Sequence, residues 1–220
     1  MPWSFRAAAS ATNSSYAEAT IVINKPTGTV SGDLLFSAIV SDFANISTAP
    51  SGWTLIRNTS AATGNRLITY YKVAGGSEPS TYTWTFDANT DISGGIIAYS
   101  GLTGTPLDVE NGQENSSAST SVTAPAVTVT NSDSLLIFAG GVNEDNDATT
   151  YTAPSGMTER VDTFNTWSSL EIADQNVASG STGTRVATAS NSHESIGHLA
   201  AFIQTAAGGV RSLSLLGVGQ

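Results

Sequence analysis

The five residues Pro50-Ser51-Gly52-Trp53-Thr54 return as Pro154-Ser155-Gly156-Met157-Thr158, and their surroundings return with them. Leu34-Leu35-Phe36-Ser37-Ala38 is answered 101 residues later by Leu135-Leu136-Ile137-Phe138-Ala139. Asn13-Ser14-Ser15 is answered by Asn115-Ser116-Ser117, Val73-Ala74 by Val177-Ala178, and Gly95 with Ala98 by Gly197 with Ala200, so the offset drifts only between 101 and 104. A near-constant offset along the chain implies two copies of one unit with small loop insertions. The copies run about from Trp3 to Gly101 and from Leu107 to Gln204. Any fold for this chain must therefore be one that the same unit can adopt twice.

Thr81-Tyr82-Thr83-Trp84-Thr85-Phe86 alternates threonine with aromatics, the period of a strand with one face in a core. Ala19 to Ile23, Asp33 to Ser41, Trp53 to Arg57, Arg66 to Val73 and Ile92 to Ser100 are rich in β-branched and aromatic residues and bounded by Gly, Pro, Ser and Asn. The second copy supplies Ser121 to Val129, Ser134 to Val142, Met157 to Asp162, Ser168 to Val177, Thr184 to Ala189 and Glu194 to Ile203. No window carries the apolar spacing of an amphipathic helix, so the expectation is an all-β chain of twelve strands, an antiparallel, jelly-roll-like β-sandwich. The connector Gly101 to Pro106 is too short and apolar for a flexible linker. We expect one sandwich over residues 1–204 and a C-terminal arm over 205–220; two tandem small sandwiches are the alternative.

Only 8 basic residues and a net charge of −10 exclude a nucleic-acid partner, because neutralising phosphates needs clustered Lys and Arg. No stretch approaches a membrane span, and the first residues lack the charged start and apolar core of an export signal. With no cysteine, stability rests on packing.

Candidates for chemistry are few. Asn143-Glu144-Asp145-Asn146-Asp147 gathers oxygen donors, and Glu144, Asp145 and Asp147 could hold Ca²⁺; the spacing and glycine of an EF-hand are missing, so a solvated acidic loop is the first reading. His193 and His198, the two histidines, are an odd number apart on a strand and face opposite ways. Serine lacks a G-x-S-x-G setting and an identifiable base. Asp87, Asp91, Asp108, Glu110 and Glu114 could supply a carboxylate pair, but solvated loop carboxylates are the stronger reading. Trp53, Tyr70, Tyr71, Trp84, Tyr99 and Trp167 could build a sugar-stacking shelf, although alternating strand aromatics are more often core; the adjacent Tyr70 and Tyr71 must face opposite ways, so one of them is the best candidate for an exposed ring. We expect no catalytic residues, no cofactor and no enzyme activity.

The stretches PSGWTLI, RLITYYKVA, SEPSTYTW and SGGIIAYSGL together resemble a β-sandwich module found in structural proteins of tailed bacteriophages and in some bacterial surface proteins, and the RSLSLLGVG ending resembles the C-termini of such phage proteins. The resemblance implies a virion component made in the host cytoplasm: a capsid decoration or cement protein, or a tail-fibre-associated or receptor-binding protein. Its partners would be other capsid or tail subunits and copies of itself in a dimer or trimer, with host glycan as a further possible ligand. The arm, with Val210, Arg211, Leu213, Leu215 and Leu216, could lie along a neighbouring subunit by strand addition; docking onto the edge of its own sandwich is the alternative.

Overall fold

The computed structural model describes residues 3–13, 18–102, 106–143 and 148–203. Among them there is no helix, and so none long and apolar enough to cross a membrane. The first half holds β1 (Ser4–Asn13), β2 (Thr20–Asn24), β3 (Leu34–Ser41), β4 (Ile46–Thr48), β5 (Thr54–Ser60), β6 (Arg66–Val73), β7 (Thr81–Phe86) and β8 (Ile92–Ser100). The second holds β9 (Leu107–Ala124), β10 (Thr128–Val129), β11 (Ser134–Asn143), β12 (Tyr151–Thr152), β13 (Thr158–Phe164), β14 (Ser168–Val177), β15 (Gly180–Ser181) and β16 (Arg185–Phe202).

In the first half the chain alternates between two sheets, ordered β1-β8-β3-β6-β5 and β2-β7-β4. These are jelly-roll connections, with β5 kept on the edge beside β6 rather than crossing to the smaller sheet. In the second half β9-β16-β11-β14-β13 follows the same order. There β9 and β16 run on past their pairing beside β11. Their far portions, paired from Arg185↔Ala124 to Thr188↔Ser121, cover the outer side with β12, and the small β10-β15 pair adds to that layer.

The structure corrects the expected strands and one of the repeat equivalences. The described residues form sixteen strands, not twelve. Thr184 to Ala189 and Glu194 to Ile203 are one bent strand, Ser121 to Val129 is divided between the end of β9 and β10, and β1, β4, β12, β15 and the first part of β9 were not expected at all. By sheet register Gly94, not Gly95, stands where Gly197 stands, since they pair with Ile39 and Gly140 respectively.

Three cores follow from side-chain alternation. On β3, Leu34, Phe36, Ala38 and Val40 point one way, and Leu35 and Ile39 the other. Leu35 and Ile39 meet Tyr82, Trp84 and Phe86 of the smaller sheet. On β11, Leu136, Phe138 and Val142 meet Val122, Ala124 and Ala187 in an outer core of the second half. The remaining faces close on each other: Phe36, Val40, Leu67 and Tyr99 pack with Leu135, Ile137, Ile172 and Phe202. This third core joins the halves, and it explains why β3 is buried at every position.

Local irregularities also correspond. A bulge falls between Leu55 and Arg57 in β5 and between Glu159 and Val161 in β13. Another falls between Phe5 and Ala7 in β1, and the register of β9 slips where Leu107 and Val109 meet Phe202 and Ala201. The repeated Pro-Ser-Gly stretch is a tight turn: Trp53 N–H donates to the Pro50 carbonyl at 3.4 Å, and Met157 N–H to the Pro154 carbonyl at 2.9 Å. Gly52 and Gly156 sit at φ 82° and 80°, the left-handed position of a type II turn.

Candidate functional site

The aromatic residues are almost all inside. Trp53, Tyr70, Tyr82 and Trp84 cluster in the first half's core, Trp53 meeting Tyr82 and Trp84 edge to face, with ring centroids 5.1 Å apart for Trp53 and Tyr82. The expectation of one exposed ring at Tyr70 or Tyr71 is wrong. The two do face opposite ways, but the second half covers the other face, and Tyr71 packs on Phe202 at 6.1 Å. Tyr99 is buried in the seam and Trp167 is half-buried. Among the described residues the strongly exposed aromatics are Phe43, 62% exposed, and Phe164, 42%. Phe43 is held at φ 66°, outside the range of most side chains, against Gly64, where a Cβ would come within 2.0 Å of its ring.

Four of the five carboxylates named from sequence are dispersed into structural contacts. Asp87 accepts from the Asn45 N–H at 2.9 Å, Asp108 from the Thr130 N–H and hydroxyl at 2.8 Å, and Glu114 from the Ala62 N–H at 2.9 Å. Glu110 pairs with Arg57 at 2.5 Å. Asp91 is buried beside Asp42, and burial, then the Asp42 charge, raises its pKa. Among the described residues no three His, Cys, Asp or Glu side chains group to hold a metal ion. The calcium candidates Glu144, Asp145 and Asp147 lie outside the described residues, as do Val210, Arg211, Leu213, Leu215 and Leu216 of the expected arm.

Polar groups that sequence could not place gather in the seam. Thr59 Oγ1 lies 2.9 Å from His198 Nε2, and Thr69 Oγ1 3.4 Å from His198 Nδ1. Burial, then the Arg57 charge, pushes His198 down to about 3, so it is neutral. Ser93 donates to the Ser168 carbonyl at 2.9 Å, and Asn165 donates to the carbonyls of Asn13 at 2.6 Å and Ile92 at 3.0 Å. Tyr99 and Arg160 both donate to Asp174, and the Arg160 guanidinium lies 4.0 Å from the centre of the Phe5 ring. Trp3 donates to the Asp133 carbonyl at 3.1 Å beside a cavity of about 220 Å³ that Asn176 and Val177 also line. A poised nucleophile and base do not occur in this set; His198 spends both ring nitrogens on threonine hydroxyls.

Comparison with known proteins gives no match to a family model, a curated protein or a solved structure.

Besides Asp91, whose two carboxylate oxygens also lack a hydrogen-bond partner, a second acid is fully buried without one. Glu171 is fully buried on β14, and neither of its carboxylate oxygens has a hydrogen-bond partner. It lies beside Gly140 and Asp162 in the ladder, where the first half has Ile68 between Ile39 and Asn58. A lone acid inside the run Leu170-Glu171-Ile172-Ala173 was the available signal.

Proposed function

We propose that the chain is a non-catalytic assembly subunit, of the kind that decorates or cements a tailed-phage capsid, built from two copies of a jelly-roll-like unit. The observation that carries the non-catalytic part is the fate of the reactive side chains: His198 and the Arg57–Glu110 pair are spent on joining the halves, and Arg160 and Asp174, paired with each other in the second half, reach Phe5 and Tyr99 of the first. The virion setting rests on the sequence resemblance alone.

Packing between the halves supports duplication. β1 lies against β13 and β9 against β5, so each half offers the other the equivalent edge, the reciprocal pattern of a twofold dimer interface. A chain joined this way turns its two outer layers in different directions and can engage two neighbours at once, which multiplies weak contacts. Val22, Leu55 and Val73 are exposed apolar side chains on the first half that a neighbour could cover.

Light scattering and co-sedimentation with purified phage shells, on the full chain and on a chain ending at Ile203, test this reading. The full chain should form a dimer or trimer, or pellet with shells, and the shortened chain should do neither. Two well-behaved monomers that stay in the supernatant would refute it. A second reading, glycan binding, rests on Phe43, whose exposed and conformationally fixed ring could stack on a sugar. Retention on a polysaccharide array that Phe43→Ala abolishes would favour it.

A further inference from the structure

At one end of the seam three polar side chains stand in a row. The ladder of β8, β3 and β6 ends on Ile92, Ser41 and Arg66. One step further the Asp42 N–H donates to the Asp91 carbonyl at 3.1 Å and the Phe43 N–H to the Gly64 carbonyl at 3.2 Å, so Asp91, Asp42 and Asn65 continue the ladder as one rung. Directly opposed residues of antiparallel strands share a face. Alternation with Ser93, Val40 and Leu67 turns this rung toward the space between the halves.

All three are buried, with Asp91 0%, Asn65 1% and Asp42 2% exposed. Both carboxylate oxygens of Asp91 and both amide atoms of Asn65 lack a hydrogen-bond partner. Polar groups removed from water without partners are destabilising, and a carboxylate beside another carboxylate more so. The second half repeats the theme: one step past the Ser195↔Val142 pair is Glu194, whose Oε2 is buried and unpartnered.

Carboxylate and amide oxygens without nitrogen or sulfur donors suit a hard divalent cation, and calcium tolerates an irregular shell completed by backbone carbonyls and water. We propose that Asp91, Asp42 and Asn65 bind Ca²⁺ at the end of the seam. The ion satisfies the orphaned oxygens of Asp91 and Asn65, cancels the repulsion between Asp42 and Asp91, and ties the β3–β4 connection to the β5–β6 turn. These ligands are distinct from Glu144, Asp145 and Asp147, and the site stands or falls independently of the assembly role.

Isothermal titration of EDTA-treated full-length chain with CaCl₂, with thermal melts in EDTA and in calcium, tests the site. Wild type should take up one Ca²⁺ and melt at higher temperature with it. Asp91→Asn should weaken binding at least tenfold and lose the thermal response, while folding normally without calcium because it removes only a buried charge. Asn65→Ala should do likewise and serves if Asp91→Asn does not fold. The triple replacement Glu144→Gln, Asp145→Asn, Asp147→Asn should bind as wild type does. No calcium uptake by wild type, unchanged affinity in Asp91→Asn and Asn65→Ala, or loss confined to the triple replacement would overturn the proposal.

Discussion

Replacing Glu171 by glutamine should stabilise the protein at neutral pH. Burial, then the charges of Glu159 and Asp162, pushes Glu171 from 4.5 up to about 9, so the folded chain keeps a proton that the unfolded chain has released. Stability therefore falls as pH rises between 4.5 and 9 and is insensitive to this group outside that window. Each pH unit of delayed ionisation is worth about 1.4 kcal/mol, so the loss by pH 7 is about 3 kcal/mol. Glutamine keeps the shape and removes the titration. The two proteins should unfold alike at pH 4.5, and the glutamine variant should be about 3 kcal/mol more stable at pH 7, a rise of about 6–12 °C for a chain of this size. Urea melts at pH 4.5, 7 and 8.5, followed by fluorescence, measure the gap. A gap that does not widen with pH would mean that Glu171 ionises in the folded state, and the reasoning from burial would be wrong.

His198 behaves in the opposite sense. Its folded-state pKa of about 3 lies below the ordinary 6.5, so its contribution is intact above 6.5 and is lost as pH falls toward 3; its ring resonances should remain those of a mainly neutral imidazole at pH 4. Gly52→Ala and Gly156→Ala place a side chain at the same left-handed turn position beside Lys72 and Gln175, and each should cost about 1 kcal/mol or more in a denaturant melt. Very unequal costs would argue against equivalent halves. Gly64→Ala should destabilise by more than either, since its Cβ meets the Phe43 ring within 2.0 Å, and Phe43→Ala in the same chain should recover part of the loss.

The all-β class was legible because β7 and the flanks of the Pro-Ser-Gly turns carry strong local signals. β3 and β11 were legible as buried strands, but not what they are buried against: residues apolar on both faces have no period to reveal which side meets the smaller sheet and which meets the other half. β1 was missed because Ala7-Ala8-Ala9-Ser10-Ala11 has little strand preference of its own and is held by pairing with β8. The start of β9 reads as a polar loop, yet its Glu110 and Glu114 are drawn to Arg57 and the Ala62 N–H. Asp42, Asn65 and Asp91 come from three separate connections, and only the antiparallel register brings them into one rung.

The seam's energetics can be separated at Arg160. This residue is the bulge of β13, where β5 has Ile56, and its stem replaces an apolar side chain while its guanidinium reaches Asp174 and covers Phe5. Arg160→Met preserves most of the packing and leaves the Asp174 charge with only the Tyr99 hydroxyl. Breaking a buried ion pair from one side costs about 3–5 kcal/mol, and partial exposure of Arg160 reduces that here to about 2–3 kcal/mol. Adding Asp174→Asn removes the orphaned charge, and the amide oxygen can still accept from Tyr99. The double replacement should therefore recover more than half of the loss in a urea melt. A double variant no better than Arg160→Met would place the cost in the lost cation–aromatic contact and packing on Phe5 rather than in an uncompensated charge.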